Sequence, residues 1–280
     1  MADIELIDKS LIQSKTFQYH LSIQADLDGV CFSILDKESN RYLLFRKYSY
    51  SLSHDPEIQL KNVDQAFSTD EFLQSGYSTV SFIYLTRKST LVPGVFFDES
   101  NIRTYFEFNH SLNEYDEIHY NYISEIEGYN IFTIPSDLSN FIYSKHKNVK
   151  YFHQATPLIH SVIAGLHELS GIHINLNRDF FDIVVIENSR LRLYNTFQYQ
   201  NDTDLLYFVL YVIKQLKIDI ASVITTICGE QCDKPAYYNA LKEYIPNIVY
   251  LEPVFPEFSP VFKKIGKHKF FNLFYLFNCG

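Results

Sequence analysis

The chain contains no tryptophan, one methionine, nine glycines and nine prolines in 280 residues. Its 24 lysines and arginines are outnumbered by 33 aspartates and glutamates, so the formal net charge is −9. An acidic chain lacks the positive field that attracts phosphate backbones, which argues against nucleic acid as a partner. The 24 phenylalanines and 22 tyrosines are better explained by the codon bias of an AT-rich genome than by base-stacking surfaces.

Long apolar runs and a secretion signal are also missing. The opening residues, MADIELIDKS, are acidic and lack the apolar core of a signal peptide. The apolar stretch 205–216 is interrupted by Lys214 and is too short for a transmembrane segment. We therefore expect a cytoplasmic protein whose four cysteines are reduced thiols rather than a disulfide framework: Cys31, Cys228, Cys232 and Cys279.

Alternating apolar and polar residues from His20 onward predict an antiparallel meander. Strands 20–26 and 30–36 flank Asp28-Gly29, a pair typical of a type I′ turn in which glycine has a positive φ. A third strand is expected at residues 42–48, followed by a polar loop at 51–62.

The middle of the chain alternates between helical and extended patterns, which indicates an α/β layer. Helices are expected at 63–76 with Thr69 as an internal cap, at 98–109, from Ser136 and from Thr156-Pro157. Strands are expected at 78–85, 117–124, 129–134 and 149–153. His160 and His167 lie on one side of the last helix, but no third ligand stands at a zinc-site spacing, so we interpret them as surface or interlobe histidines.

From Ile172 the order of elements repeats. Three strands (172–177, 181–187 and 191–199) precede an amphipathic helix at 202–217 and an apolar strand at 223–228 that ends at Gly229. Such an uninterrupted apolar strand is typical of a parallel strand that is buried on both faces of the sheet. The sequence thus predicts an α/β protein with mixed sheets and two related lobes, comprising residues 1–170 and 171–280.

The tandem order of three antiparallel strands, a helix and a parallel strand resembles the actin-like ATPase superfamily. More narrowly, the sequence resembles DUF3822, a bacterial family of unknown function. The resemblance implies a duplicated, ribonuclease H-like architecture whose lobes clamp ATP and a divalent metal between their hairpins.

The resemblance also implies three nucleotide loops. The first, 26–29, has an acidic residue for metal-bound water and a glycine that admits phosphate. The second, 184–190, has no glycine, and the third, 227–232, has one where the superfamily has two or three. Seven residues would line this vestigial nucleotide cleft: Asp26, Asp28, Gly29, Glu187, Asn188, Ser189 and Gly229.

Because the second loop has no glycine and the third has only one, the leading hypothesis is a non-catalytic actin-like protein that acts as a binding or scaffold module with a protein partner. It has no catalytic residue, no metal site and no expected cofactor. One alternative is an active ATPase or small-molecule kinase with ATP and magnesium, in which Asp26 or Asp28 positions metal-bound water while Asn188 and Ser189 donate to phosphates. Another is a subunit resembling the actin-like components of pilus and secretion assemblies.

Three further features are open to two interpretations. Glu187 could be a base in the cleft, but hairpin-edge glutamates are usually only solvated. Cys228 and Cys232 have the wrong spacing for a zinc knuckle and are interpreted as a core thiol and a surface thiol, respectively. The basic segment 263–269, KKIGKHK, could bind an anionic partner; we favour a polar loop before a last core element at 270–277.

Overall fold

The computed structural model describes residues 2–164, 170–254 and 256–279. The strands in chain order are β1 (Ile4–Ile7), β2 (Tyr19–Asp26), β3 (Gly29–Asp36), β4 (Arg41–Ser49), β5 (Thr79–Tyr84), β6 (Ser89–Pro93), β7 (Asp116–Ile123), β8 (Gly128–Pro135), β9 (Val149–His153), β10 (Gly171–Leu176), β11 (Phe180–Glu187), β12 (Arg190–Gln198), β13 (Ile224–Cys228), β14 (Ile248–Tyr250) and β15 (Glu257–Phe258). The α-helices are α1 (Pro56–Thr69), α2 (Ile102–Glu107), α3 (Ser136–Lys145), α4 (Ala155–Ala164), α5 (Asp202–Leu216), α6 (Pro235–Tyr244) and α7 (Phe271–Tyr275).

Two mixed sheets repeat one topology. In the seven-stranded sheet, β4-β3-β2 is an antiparallel meander and β5 and β9 continue it in parallel from β2. In the five-stranded sheet, β12-β11-β10 is the meander and β13 and β14 continue it in parallel from β10. The predicted duplicated α/β architecture is confirmed. We call the parts built on these sheets the first lobe and the second lobe.

A small antiparallel sheet of order β6-β8-β7 interrupts the first lobe between β5 and α3. With α2 it forms the insertion, residues 86–135. Val92, Phe106 and Ile131 are its own small buried cluster, whereas Phe132 and Ile134 on β8 join the core of the first lobe. One face of the insertion is therefore fixed against the first lobe.

Helix α1 differs from its prediction at both ends. It begins at Pro56, within the predicted polar loop, because Asp55 caps it by accepting a hydrogen bond from the Glu57 amide at 2.9 Å. It ends at Thr69, the predicted internal cap, and Asp70 follows as the C-cap residue. The Asp70 carboxylate accepts from the Tyr48 hydroxyl and pairs with Arg46, so the chain leaves the helix there.

The turn at Asp28 also differs from prediction. Asp26 pairs with Gly29 across the β2–β3 ladder, so Leu27 and Asp28 are the turn residues and Gly29 is already in β3. Of these two predicted loop glycines, Gly229 has a positive φ and Gly29 does not. Gly29 is needed for close approach instead, because a Cβ there would stand 2.7 Å from the Tyr48 carbonyl oxygen.

The C-terminal segment, residues 256–279, packs mainly on the first lobe. β15 pairs with β4, and Phe270, Leu273 and Phe274 share a buried cluster with Tyr42 and Phe45. The predicted second domain, 171–280, includes this segment; its Phe271 shares a buried cluster with Val184, Ile186 and Cys228 of the second lobe. The prediction that residues 270–277 form a core element is confirmed.

Some elements carried no readable signal or were not expected. β1 lay in a fragment without a clear assignment, and β6, α6 and β14 were not predicted at all. For α4, the predicted extension through residues 165–169, including His167, lies outside the described residues. In the described part of α4, the ring of His160 contacts the Tyr275 hydroxyl of the C-terminal segment at 3.1 Å and the Glu125 carboxylate of the insertion at 3.2 Å.

Candidate functional site

The two lobes meet where the β2–β3 turn faces the β10–β11 turn. Asp28 on the first turn forms an ion pair with Arg178 on the second. We call the space between these turns and Gly229 the interlobe cleft. The two turns occupy equivalent positions in the two lobes. Each follows the strand, β2 or β10, that lies between an antiparallel and a parallel neighbour in its sheet.

Asp26 lies at the end of β2, at the base of the cleft. Its Oδ1 accepts a hydrogen bond from the Leu27 amide at 2.6 Å. Burial, reinforced by the negative charge of Asp28, raises the pKa of this carboxyl to about 7. Glu230 and Asp179 add to the rise. The charges of three other carboxyl groups therefore act on Asp26 in this part of the cleft.

The far wall of the cleft is closed by the C-terminal segment. Gly229 follows β13 with a φ of +93°, and its amide donates to the His268 carbonyl oxygen at 2.9 Å. A Cβ at Gly229 would lie 2.4 Å from the Leu176 carbonyl oxygen, so glycine is required by the protein's own packing. Beside it, Lys47 of the first lobe pairs with Glu230 of the second and lies over the Phe270 ring at 5.7 Å.

Three predicted cleft residues lie elsewhere: Glu187, Asn188 and Ser189. They form the turn from β11 to β12, which stands beside the first residue of β10, since Gly171 pairs with Ile186. The cleft is at the other end of β10, a six-residue strand of about 17 Å. Glu187 pairs there with Arg192 at 2.8 Å, and the Asn188 amide donates to the Ser170 hydroxyl.

The error came from matching the wrong hairpin of the repeat. The counterpart of the β2–β3 turn is the first turn of the second meander, residues 177–179, not the second turn. Arg178 and Asp179 were therefore missed, although an Asn-Arg-Asp triplet between two apolar strands was a readable turn signal. Lys47 and Glu230 were also missed, and no local signal marks them, because they are 183 residues apart.

A buried polar network fixes the lobes beside the cleft. Its centre is Asp182 on β11, whose side chain is fully buried. Burial raises the pKa of Asp182, and the hydrogen bonds that it accepts oppose this rise. Five side chains donate to its two oxygens at 2.8 to 3.4 Å: Asn175, Asn177, Tyr194, Thr196 and Gln154. Gln154 also bonds the backbone of Thr86 in the first lobe, so the network spans both lobes.

A cavity of about 490 Å³ opens on the other side of the two turns, between both lobes and the insertion. Its walls include Leu27, Tyr84, His110, Asp179 and Gln198. The volume is in the range of small-molecule sites. The positive charge of its wall is partly neutralised, since Lys88 pairs with Asp116 at 3.3 Å.

The cleft residues do not fit a nucleotide and its metal as they stand. The Asp28 carboxylate is held by Arg178, and the Gly229 amide is used by His268. Across residues 2–164, 170–254 and 256–279, no three His, Cys, Asp or Glu side chains are grouped so that they could hold a metal ion. The helices that the structure describes include none long and apolar enough to cross a membrane.

Comparison with known proteins identifies the fold. The model of the family "Protein of unknown function (DUF3822)" matches residues 8–248. A Bacteroides thetaiotaomicron protein described as having an actin-like ATPase fold and unknown function aligns with a TM-score of 0.77 and 26% identity, over 86% of this chain and 93% of its own. The PilM-PilN type IV pilus biogenesis complex aligns with a TM-score of 0.61 and 7% identity, over 93% and 98%. No curated protein matches.

Proposed function

Since the chain belongs to the DUF3822 family and has the actin-like ATPase fold, we propose that it is a non-catalytic binding or scaffold module whose partner is a protein. One observation carries this proposal. The groups of the interlobe cleft that would meet a nucleotide are already engaged by the protein's own side chains and C-terminal segment.

A bound nucleotide would need contacts for its phosphates and for its purine that this cleft does not offer. Phosphate needs free backbone amides and little negative charge, but the negative charges of Asp28 and Asp179 already act on Asp26 at the turns. A purine needs bare backbone after β13, where His268 and Phe270 are seated. Opening the cleft would break the Asp28–Arg178 and Lys47–Glu230 pairs together.

The likeness to the PilM-PilN complex supports a protein as partner, because that structure is named as a complex of PilM with PilN. The free state of all four cysteines fits a reducing compartment, and we propose the cytoplasm as the location.

An ATPase or small-molecule kinase is the second candidate. The cavity of about 490 Å³ beside the β2–β3 turn favours it, since its walls include Leu27 of that turn and Asp179 of the β10–β11 turn. The residues proposed to donate to phosphates, Asn188 and Ser189, are at the opposite end of the second sheet, so this candidate would need the β10–β11 turn instead.

A thermal-shift titration with magnesium and ATP separates the two. We expect no change in Tm up to millimolar ATP. Binding would be visible, because a ligand at 100 times its Kd would add about 2.7 kcal/mol to the free energy of unfolding and raise Tm by several degrees. The proposal fails if Tm rises and phosphate is released, with both effects lost in Asp28→Asn and kept in Asp219→Asn, a control on the surface of the second lobe.

A further inference from the structure

The insertion displays large apolar side chains to solvent at one place. Val95, Phe96 and Phe108 are 88%, 71% and 88% exposed. Single exposed apolar residues are ordinary, but three of them on neighbouring elements form a patch of the kind that marks an interaction surface. We call Val95, Phe96 and Phe108 with their supporting residues the insertion tip.

Contacts beneath the tip hold it in one shape. The Phe97 ring stacks on Tyr129 with ring centres 3.7 Å apart. The Tyr105 hydroxyl donates to the Phe96 carbonyl oxygen at 2.5 Å, and Tyr105 and Phe108 are three residues apart on the α2 turn, so they share one side. The exposed rings are thus presented on a rigid aromatic base, which lowers the entropy lost on binding.

The tip is surrounded by negative charge. Residues 94–128 contain eight aspartates and glutamates and one arginine, so this segment carries most of the net charge of −9. Glu107 is adjacent to Phe108 and pairs on the surface with Arg103 at 2.9 Å. The backbone of Glu127 accepts from the Gly94 amide at 2.8 Å, next to Val95. Both glutamates and Glu99 are exposed.

This combination selects among possible occupants. Nucleic acid and anionic lipid surfaces would be repelled by the carboxylates. A second copy of this chain would bring another acidic tip to a self-complementary contact, which like charges oppose. A protein segment with apolar side chains between lysines and arginines would bury the rings and pair with the glutamates.

We infer that the insertion tip is the docking surface for a protein partner through a segment of apolar residues flanked by lysine and arginine. The inference deepens the proposed function, since it names the surface by which such a module binds. It can fail separately, because the nucleotide titration above does not involve the tip.

The probe is a displayed library of random 15-residue peptides, selected on the full chain and counter-selected on Phe96→Ser/Phe108→Ser. We expect enriched peptides that combine apolar residues with lysine and arginine. Measured by fluorescence anisotropy, the Kd of the best peptide should be at least about tenfold higher for the double variant than for the wild type, as for the loss of buried aromatic anchors. Tyr207→Ser, at a 62% exposed aromatic on α5, should change the Kd less than about twofold, the scale of a neutral surface substitution.

A second variant, Glu99→Gln/Glu107→Gln/Glu127→Gln, keeps the rings and removes the charge. It should bind the same peptide more weakly, and the Kd should depend less on salt concentration than it does for the wild type. The inference is overturned if no peptide is enriched, if enriched peptides lack basic residues, or if Tyr207→Ser weakens binding equally. It is also overturned if the double variant instead abolishes binding to phosphatidylcholine vesicles or self-association in sedimentation.

Discussion

Single residues decide the electrostatics of the cleft. Arg178 is the clearest case, because its guanidinium reaches from the second lobe to Asp28 and pairs with one of the carboxyl groups whose charges act on Asp26. Within residues 2–164, 170–254 and 256–279, no cation pairs with Asp26, and burial together with Asp28 raises its pKa to about 7. Its charge therefore changes in the physiological range, which an aspartate on an open surface would not do.

The pKa of Asp26 predicts a pH-dependent cost. Below pH 4 the carboxyl is protonated in both states. Between about pH 4 and 7 the unfolded chain loses this proton while the folded protein keeps it, so the free energy of unfolding falls, and above pH 7 the loss is complete. From pH 4 to pH 8, we expect the free energy of unfolding of Asp26→Asn to rise relative to that of the wild type by about 2 kcal/mol. This is less than the full pKa shift would give, because the side chain is partly exposed.

Urea unfolding at several pH values checks this prediction. Asp64→Asn, on the exposed side of α1, is the matched control and should run parallel to the wild type. Parallel curves for Asp26→Asn as well would show that its carboxyl is charged in the folded state at pH 5.

At the scale of elements, the two meanders show how one topology can carry different turns. Their first turns, 27–28 and 177–179, face each other in the cleft, whereas the β11–β12 turn is remote from it. The remote turn is strained: Asn188 and Ser189 have φ values of 53° and 60°. Two residues with positive φ are the geometry of a type I′ turn, which favours Asn-Gly.

We predict that Ser189→Gly stabilises the protein by roughly 0.5 kcal/mol, because relief of the positive φ exceeds the entropy that glycine adds to the unfolded chain. Ser51→Gly, at an exposed position without a positive φ, should be neutral or destabilising. Chemical denaturation compares the two. A loss of stability in Ser189→Gly would mean that the serine side chain is needed at the turn.

At the scale of the molecule, the C-terminal segment joins parts that are distant in sequence. It adds β15 to the first sheet, contacts α4 through Tyr275 and His160, and reaches the Gly229 amide of the second lobe. Phe274 is its anchor. The ring is fully buried, with ring centres 5.1 to 5.7 Å from four other aromatic rings, those of Tyr42, Phe45, Phe258 and Phe262.

We predict that Phe274→Ala lowers the free energy of unfolding by about 3–5 kcal/mol, since it leaves a cavity among packed rings. Phe17→Ala, at a 62% exposed phenylalanine, should stay within about 0.5 kcal/mol. Urea denaturation measures both. Near-wild-type stability of Phe274→Ala would show that the segment is a removable cover and not part of the core.

Local signals in the chain were enough to predict most of the elements. Alternation predicted the meanders, the Thr156-Pro157 pair predicted α4, and the apolar run before Gly229 predicted β13. These signals act within a few residues, because strand and helix periods and turn preferences depend on neighbouring side chains. The same locality explains the misplacement of Asn188 and Ser189, since either turn of a meander satisfies the local pattern.

The sequence by itself determined the repeated order of strands and helices, and through that order the fold. Only the tertiary structure decided which turns meet, that Arg178 faces Asp28 across 150 residues of chain, and that the C-terminal segment closes the cleft beside Gly229. The physical reason is that hydrophobic periodicity is a local property, whereas ion pairs and docked segments depend on how the two lobes pack together.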